Sequence, residues 1–150
     1  MHFSCVPGVL PAHLAAFAGS ISALAAATAV SPALLLATDN KAWGVGHYAA
    51  AKGASECLEW LHASAHGRGA LCMADASGWT VAHVCAAAGY GHCVPTLARL
   101  GLTPLLLSRD VDGSTPCDIA VTAGNGCFVA AMIELGMPVA EEARRIVLDE

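Results

Sequence analysis

The sequence has few charged and few aromatic residues. Of its 150 residues, 13% are charged and 5% are aromatic, whereas 56% are hydrophobic. Most of the hydrophobic excess is alanine, which favours closely packed helices. The seven basic residues are scattered and the formal net charge is −5, so there is no basic cluster of the kind that nucleic-acid binding requires. The length predicts a single domain, and nucleic acid is not expected as a partner.

Charge is missing altogether from the start of the chain, because no Lys, Arg, Asp or Glu precedes Asp39. A signal peptide would need a basic N-terminal region, which this segment lacks. A membrane span would need about 20 unbroken apolar residues, and Pro11, His13, Gly19 and Pro32 interrupt the run. We therefore expect no membrane partner, although membrane association through this uncharged segment stays open as an alternative.

The familiar catalytic and phosphate-binding motifs are missing as well. The sequence contains no GxSxG, no GxxxxGK[ST] and no GxGxxG stretch, which are signatures of hydrolase and nucleotide sites. Its acidic residues form no evident pair for acid–base catalysis. We expect neither an enzyme nor a bound cofactor.

Seven cysteines are present, but their number is odd and their spacing irregular. Most of them lie in apolar runs, where a free thiol behaves as a small hydrophobic side chain. The pattern indicates reduced thiols rather than a disulfide framework. It predicts a cytoplasmic protein, with the nucleus as the other candidate compartment.

What the chain does contain is an internal repeat. The segments PAHLAAFAG, GHYAAAKG, TVAHVCAAAG and TPCDIAVTAG each end in glycine and place His13, His47, His83 or Asp118 at an equivalent position. These positions are 34, 36 and 35 residues apart, a period typical of stacked helical units.

Each unit carries the signals of a turn followed by two helices. The stretches DASG at 75–78 and DVDG at 110–113 are turn sequences. A Thr or Pro then begins a short helix, and a second helix with apolar residues at helical spacing follows, including Trp60 at a core phase. Glycines at the ends of the first helices predict left-handed caps at Gly19, Gly53, Gly89 and Gly124.

This pattern resembles the ankyrin repeat, whose consensus reads D-x-x-G-x-T-P-L-H-x-A-A-x-x-G. The segment RDVDGSTPCDIAVTAGN matches best, with Asp118 in place of the consensus His, and DASGWTVAHVCAAAGYGH is nearly as good. The resemblance implies an all-α helical repeat solenoid with short β-turn or hairpin connections. It divides the chain into repeats at about 5–38, 39–74, 75–109 and 110–137, with a C-terminal capping helix at about 138–150 that could instead bind a partner.

The resemblance also implies a structural role for the polar residues of the motif, which bond within and between the hairpins. Thr80 with His83, and Thr115 with Asp118, fit this role. His13 and His47 occupy the same position but have no threonine before them, so their bonding partners stay open.

One cluster of possible metal ligands lies between the second and third units. Cys57, His62, His66 and Cys72 could bind a metal, since the two histidines are four residues apart and would share one helical face. The spacing fits no standard zinc finger, and Cys57 falls at a core position of its helix. A metal-binding protein therefore stays an alternative, and we expect no metal.

The ankyrin resemblance implies a protein that binds another protein through a concave face, as an interaction module or scaffold. Trp43 and Trp79 follow the turn glycine position of adjacent units, where ankyrin repeats usually contact partners, and tryptophan is enriched in binding hot spots. The same indoles could instead fold down and seal the small alanine-rich helices. The other expected partner-binding residues are Phe17, Asn40, Lys41, Lys52, Ser77, Asp112 and Ser114.

Overall fold

The computed structural model describes residues 11–30, 38–39 and 42–137. This part of the chain contains ten helices and no strand, which confirms the predicted all-α class. The helices are α1 Pro11–Phe17, α2 Ile21–Val30, α3 Val45–Ala51, α4 Ser55–His62, α5 Ala65–Leu71, α6 Val81–Ala88, α7 Cys93–Arg99, α8 Thr103–Leu106, α9 Pro116–Ala123 and α10 Gly126–Glu134. The predicted C-terminal capping helix lies outside the described residues.

The helices form four stacked units. An inner row consists of α1, α3, α6 and α9, each of which packs on the next, and an outer row consists of α2, α4, α7 and α10, which pack on the inner helices of their own units. Because the inner helices of adjacent units pack on one another, the core is continuous from one unit to the next.

Two short helices, α5 and α8, lie in the connections after units 2 and 3, and the sequence analysis did not predict them. Ser64 begins α5, since its side-chain oxygen accepts a hydrogen bond from the Gly67 N–H at 2.9 Å. Pro104 lies in the first turn of α8, where its missing N–H costs nothing. Cys72 directly follows α5 and is exposed.

The turns before the inner helices are built around an aspartate. The Gly78 N–H donates to the Asp75 carbonyl at 3.0 Å, and the Asp75 carboxylate accepts the backbone N–H groups of Ser77 and Trp79. The turn at Asp110 repeats this arrangement. Neighbouring turns are joined directly, because the Val111 N–H donates to the Ser77 carbonyl at 3.0 Å.

The packed interior comes from large residues of the outer row and small residues of the inner row. Leu58, Leu97 and Phe128 are fully buried on outer helices, whereas alanines such as Ala50 and Ala86 are fully buried on inner helices. Small side chains allow neighbouring helices to approach closely. Trp60, predicted at a core phase, is only half-buried against this interior.

A second set of bonds ties the start of the outer helices α7 and α10 to the preceding unit. His92 Nε2 donates to the Gly53 carbonyl at 2.8 Å, and Asn125 Nδ2 donates to the Ala86 carbonyl at 2.7 Å. Both carbonyls lie at or just beyond the C-terminal end of an inner helix, where the regular helical hydrogen bonds stop.

The backbone is left-handed at the glycines that the sequence predicts and also at one alanine. The four glycines that end the inner helices all have φ between +67° and +83°, which confirms the predicted caps. Gly78 and Gly113 have φ near +80° in the turns, but Ala42 occupies the equivalent turn position with φ +64°. An L-residue with a Cβ is disfavoured in this conformation by about 1–2 kcal/mol.

We predict that Ala42→Gly stabilises the protein by about 0.5–1 kcal/mol, because the relief of backbone strain exceeds the added entropy of the unfolded chain. Urea unfolding followed by circular dichroism measures the change. The matched control is Gly113→Ala, where a Cβ would meet no atom within 4 Å, so that only the backbone penalty acts and stability should fall by a similar amount. A lower stability for Ala42→Gly would contradict this account.

Candidate functional site

The motif histidines of units 2 and 3 are buried and join one unit to the next. His83 Nδ1 accepts the Thr80 N–H at 3.2 Å, and its Nε2 donates to the Ser114 carbonyl of unit 4 at 2.9 Å. His47 Nδ1 accepts the Gly44 N–H at 3.2 Å, and its Nε2 donates to the Trp79 carbonyl at 2.7 Å. A backbone N–H can only donate and a carbonyl can only accept, so both rings carry their proton on Nε2.

The sequence analysis left the bonding of His47 open because no threonine precedes it. The structure shows that the backbone N–H of Gly44 is sufficient. In unit 4, Thr115 and Asp118 form a reciprocal cap, in which each side chain accepts the backbone N–H of the other residue. His13 of unit 1 is fully buried, and its ring stacks on Tyr48 with the centroids 5.1 Å apart.

Burial makes His47 sensitive to pH. Removal from water lowers its pKa from the ordinary value of 6.5, although the hydrogen bond to the Trp79 carbonyl and the charges of Asp75 and Asp39 act in the opposite direction. The folded protein therefore holds His47 neutral at a pH where the unfolded chain already binds a proton.

We predict that the free energy of unfolding falls as the pH drops below about 6.5, by at most about 1.4 kcal/mol per pH unit from this one group. The stability contributed by neutral His47 is fully present above that pH. Urea unfolding of wild type and His47→Gln at pH 7.5, 6.5 and 5.5 measures it. The variant should have the shallower pH dependence, and identical slopes in the two proteins would contradict the assignment.

Trp43 and Trp79 also bridge adjacent units. Trp43 Nε1 donates to Asp75 Oδ2 at 2.8 Å, and Trp79 Nε1 donates to Asp110 Oδ2 at 3.0 Å. Each indole stacks on the histidine of its own unit, His47 or His83, with centroids 5.6 and 6.1 Å apart. Both indoles are half-buried, so each has a structural contact and an accessible edge.

The bridges affect the turn carboxylates. The Ser114 N–H is the main cause that lowers the pKa of Asp110, and the Trp79 indole contributes in the same direction. Asp110 thus stays ionised and serves as the acceptor for the neighbouring unit.

We predict that Trp79→Phe lowers the free energy of unfolding by about 1 kcal/mol, because it keeps an aromatic ring but removes the hydrogen bond to Asp110. Chemical unfolding measures the loss. Trp60→Phe is the matched control, since the half-buried Trp60 indole makes no hydrogen bond to the residues that the structure describes. Equal stabilities of the two variants would show that the bridge contributes nothing.

A cluster of aromatic rings lies at the junction of units 1 and 2. We call Phe17, Trp43 and Tyr48 the aromatic patch: the Tyr48 ring lies 6.4 Å from Phe17 and 5.4 Å from Trp43, both in edge-to-face contact. The Tyr48 hydroxyl donates to Asp39, and burial together with this carboxylate raises the pKa of Tyr48. Lys52 Nζ lies 5.0 Å from the centre of the Phe17 ring, within the range of a cation–π contact.

The fold, the capped turns and the histidine bonds agree with a comparison of the sequence with family models. A model of ankyrin repeats, in three copies, matches residues 46–141. The chain belongs to the ankyrin repeat family. A search of the curated proteins found no significant match. The family match begins within α3 and does not cover the first unit. The packing of α1 against α3 and the left-handed Gly19 show that this unit continues the array.

Of the remaining residues predicted to bind a partner, the structure describes Ser77, Asp112 and Ser114, which lie in the turns before α6 and α9. Ser77 and Asp112 are exposed and Ser114 is half-buried, with its carbonyl bonded to His83. Asn40 and Lys41 lie outside the described residues. The sequence analysis missed Val111, whose side chain is 71% exposed, although its position directly after Asp110 at a turn tip could have indicated it.

The alternative metal ligands that the structure describes lie in different environments. Cys57 is buried on α4, where burial raises the pKa of its thiol, whereas Cys72 is exposed at the end of α5. His62 is half-buried at the end of α4, and the His66 side chain lies outside the description. Within the described residues, no group of three or more His, Cys, Asp or Glu side chains could hold a metal ion.

The membrane alternative depends on the uncharged N-terminal segment. Of the ankyrin helices in ranges 11–30 and 42–137, none is both long and apolar enough to cross a membrane.

Proposed function

We propose that this ankyrin repeat chain is a protein-interaction module that binds its partner on the inner face. This face is formed by the exposed sides of α1, α3, α6 and α9 together with the turns that precede them. The observation that carries the proposal is the accessible apolar surface on this face: Phe17 is 45% exposed at one end and Val111 is 71% exposed at the other. Ankyrin repeats generally mediate protein–protein interaction, which supports the same conclusion.

The partner-binding set that we propose keeps the nine residues of the sequence analysis and adds one. Exposed apolar and aromatic groups would bind by burial of surface, and the polar turn residues would form the rim. The set consists of Phe17, Asn40, Lys41, Trp43, Lys52, Ser77, Trp79, Asp112, Ser114 and Val111.

We do not propose catalysis or a cofactor, because the histidines and turn carboxylates that join the units already have structural partners. His47 and His83 bond to backbone atoms, and the carboxylates of Asp75 and Asp110 accept turn N–H groups and indoles. The six cysteines among the described residues are free thiols, which supports a reducing compartment, the cytoplasm or nucleus.

The test is to obstruct the inner face without touching the bridges. Ala87 is exposed on α6, four residues after His83 and thus equivalent to Phe17 in the repeat. An arginine there would be compatible with the helix and would place a bulky charge on the inner face. We predict that Ala87→Arg weakens partner binding at least tenfold, equivalent to about 1.4 kcal/mol.

The measurement is quantitative capture from a lysate of the source cell by wild type, Ala87→Arg and Ala25→Arg. The last variant is the matched control, because Ala25 is exposed on outer helix α2 and receives the same substitution. A protein retained by wild type and Ala25→Arg but lost by Ala87→Arg would support the proposal. Capture that is the same for all three proteins would contradict it.

A further inference from the structure

The inner face differs in charge between its two ends. The structure describes two charged residues on this face in units 1 and 2. Lys52 is exposed, whereas Asp39 is only partly exposed. In unit 4, Asp112 and Asp118 are both exposed. Together with Asp110 they outnumber the exposed Arg109, whose guanidinium donates to the Gly113 carbonyl of the same turn at 2.7 Å. Each end also presents an apolar side chain beside its charge, Phe17 at the first end and Val111 at the other.

The positive end is formed by Lys52 over the aromatic patch. Its ammonium group lies against the Phe17 ring and retains its exposed position, so it can still contact a carboxylate of a bound molecule. Asp39, the acidic residue described on this face in units 1 and 2, accepts hydrogen bonds from the Trp43 N–H and the Tyr48 hydroxyl. The Asp39 charge is thereby partly balanced by these donors, and Lys52 dominates the exposed electrostatics here.

The negative end is formed by the tip of the last turn. The Asp110 carboxylate is occupied by turn N–H groups and by the Trp79 indole, whereas Asp112 contributes only its backbone N–H to the turn. The Asp112 side chain is therefore available to a partner. Asp118 adds a second exposed carboxylate, although it also caps α9 through the Thr115 N–H.

We infer that the inner face binds an extended protein segment in one direction, with an acidic and apolar end against Lys52 and Phe17 and a basic end against Asp112. This inference rests on the proposed function and names the chemistry of its partner. Neighbouring inner helices are about 10 Å apart, so α3 and α9 are separated by about 20 Å. Lys52 follows the C-terminal end of α3 and Asp112 precedes the N-terminal end of α9, which adds an offset of about 10 Å or more along the helix axis. A fully extended chain covers the resulting distance in about seven to nine residues at roughly 3.3 Å each.

The experiment selects random twelve-residue segments from a displayed library on the immobilised full chain. We expect the segments retained by wild type to contain an apolar residue beside Asp or Glu, with Lys or Arg about seven to nine residues away. The double variant Lys52→Glu, Asp112→Lys should retain segments with the two charges exchanged. Lys52→Arg is the matched control, because it preserves the charge and should preserve the wild-type preference.

A synthetic peptide of a selected sequence then gives affinities. We expect Lys52→Glu to weaken binding about fivefold, an effect typical of exposed charge pairs. Exchange of the acidic residue of the peptide for lysine should restore the affinity for this variant. The circular dichroism spectra and unfolding midpoints of Lys52→Glu and of the double variant must match those of wild type. We expect this because the Lys52 and Asp112 side chains are exposed.

The outcomes separate this inference from the proposed function. Peptides that lose affinity for Ala87→Arg but are indifferent to Lys52→Glu would overturn the charge assignment and leave the protein-binding function supported. Failure to enrich any segment on wild type would count against both. Enrichment of sequences found in this chain, together with self-association in sedimentation that Ala87→Arg abolishes, would overturn the inference in favour of a second copy as the occupant.

Discussion

The hydrogen bonds that pass from the side chains of one unit to the next are the interaction on which the array depends. Inner helices of seven or eight residues are too short to be stable in water by themselves. His47 and His83 hold the turn of the following unit by its carbonyl, and the tryptophans hold its aspartate. Because these donors and acceptors are buried or half-buried, the loss of one partner leaves a polar group unpaired. Local structure and unit stacking are therefore formed together.

The regular features of this fold could be predicted from the sequence because they recur at a fixed period. The left-handed caps follow from glycines at equivalent positions, and burial of residues such as Phe128 follows from helical spacing. The helices α5 and α8 are different, since they lie in the connections between units, outside the two helices that the repeat pattern predicts for each unit. The positive φ of Ala42 is indicated only by comparison with Gly78 and Gly113 at the equivalent turn position, because alanine by itself favours other conformations.

The repeat period also allowed part of the candidate site to be predicted from the sequence. The period places Trp43 and Trp79 at equivalent positions, but it does not say whether an indole points toward solvent or across a junction. Their hydrogen bonds span 32 and 31 residues, close to one repeat, yet the acceptor is fixed by how adjacent turns stack. Exposure at a turn tip, as for Val111, likewise depends on the three-dimensional neighbours and not on residue type.

Most residues on the inner face either stabilise the fold or contribute exposed surface, whereas Trp43 and Trp79 do both. Each indole donates its N–H across a junction and still presents an edge to solvent. A partner that covers this edge would exclude water from the bond to the next aspartate and strengthen it, because a hydrogen bond is stronger in a less polar environment. Binding would then stiffen the array along its length, so that the bound protein resists bending more than the free one.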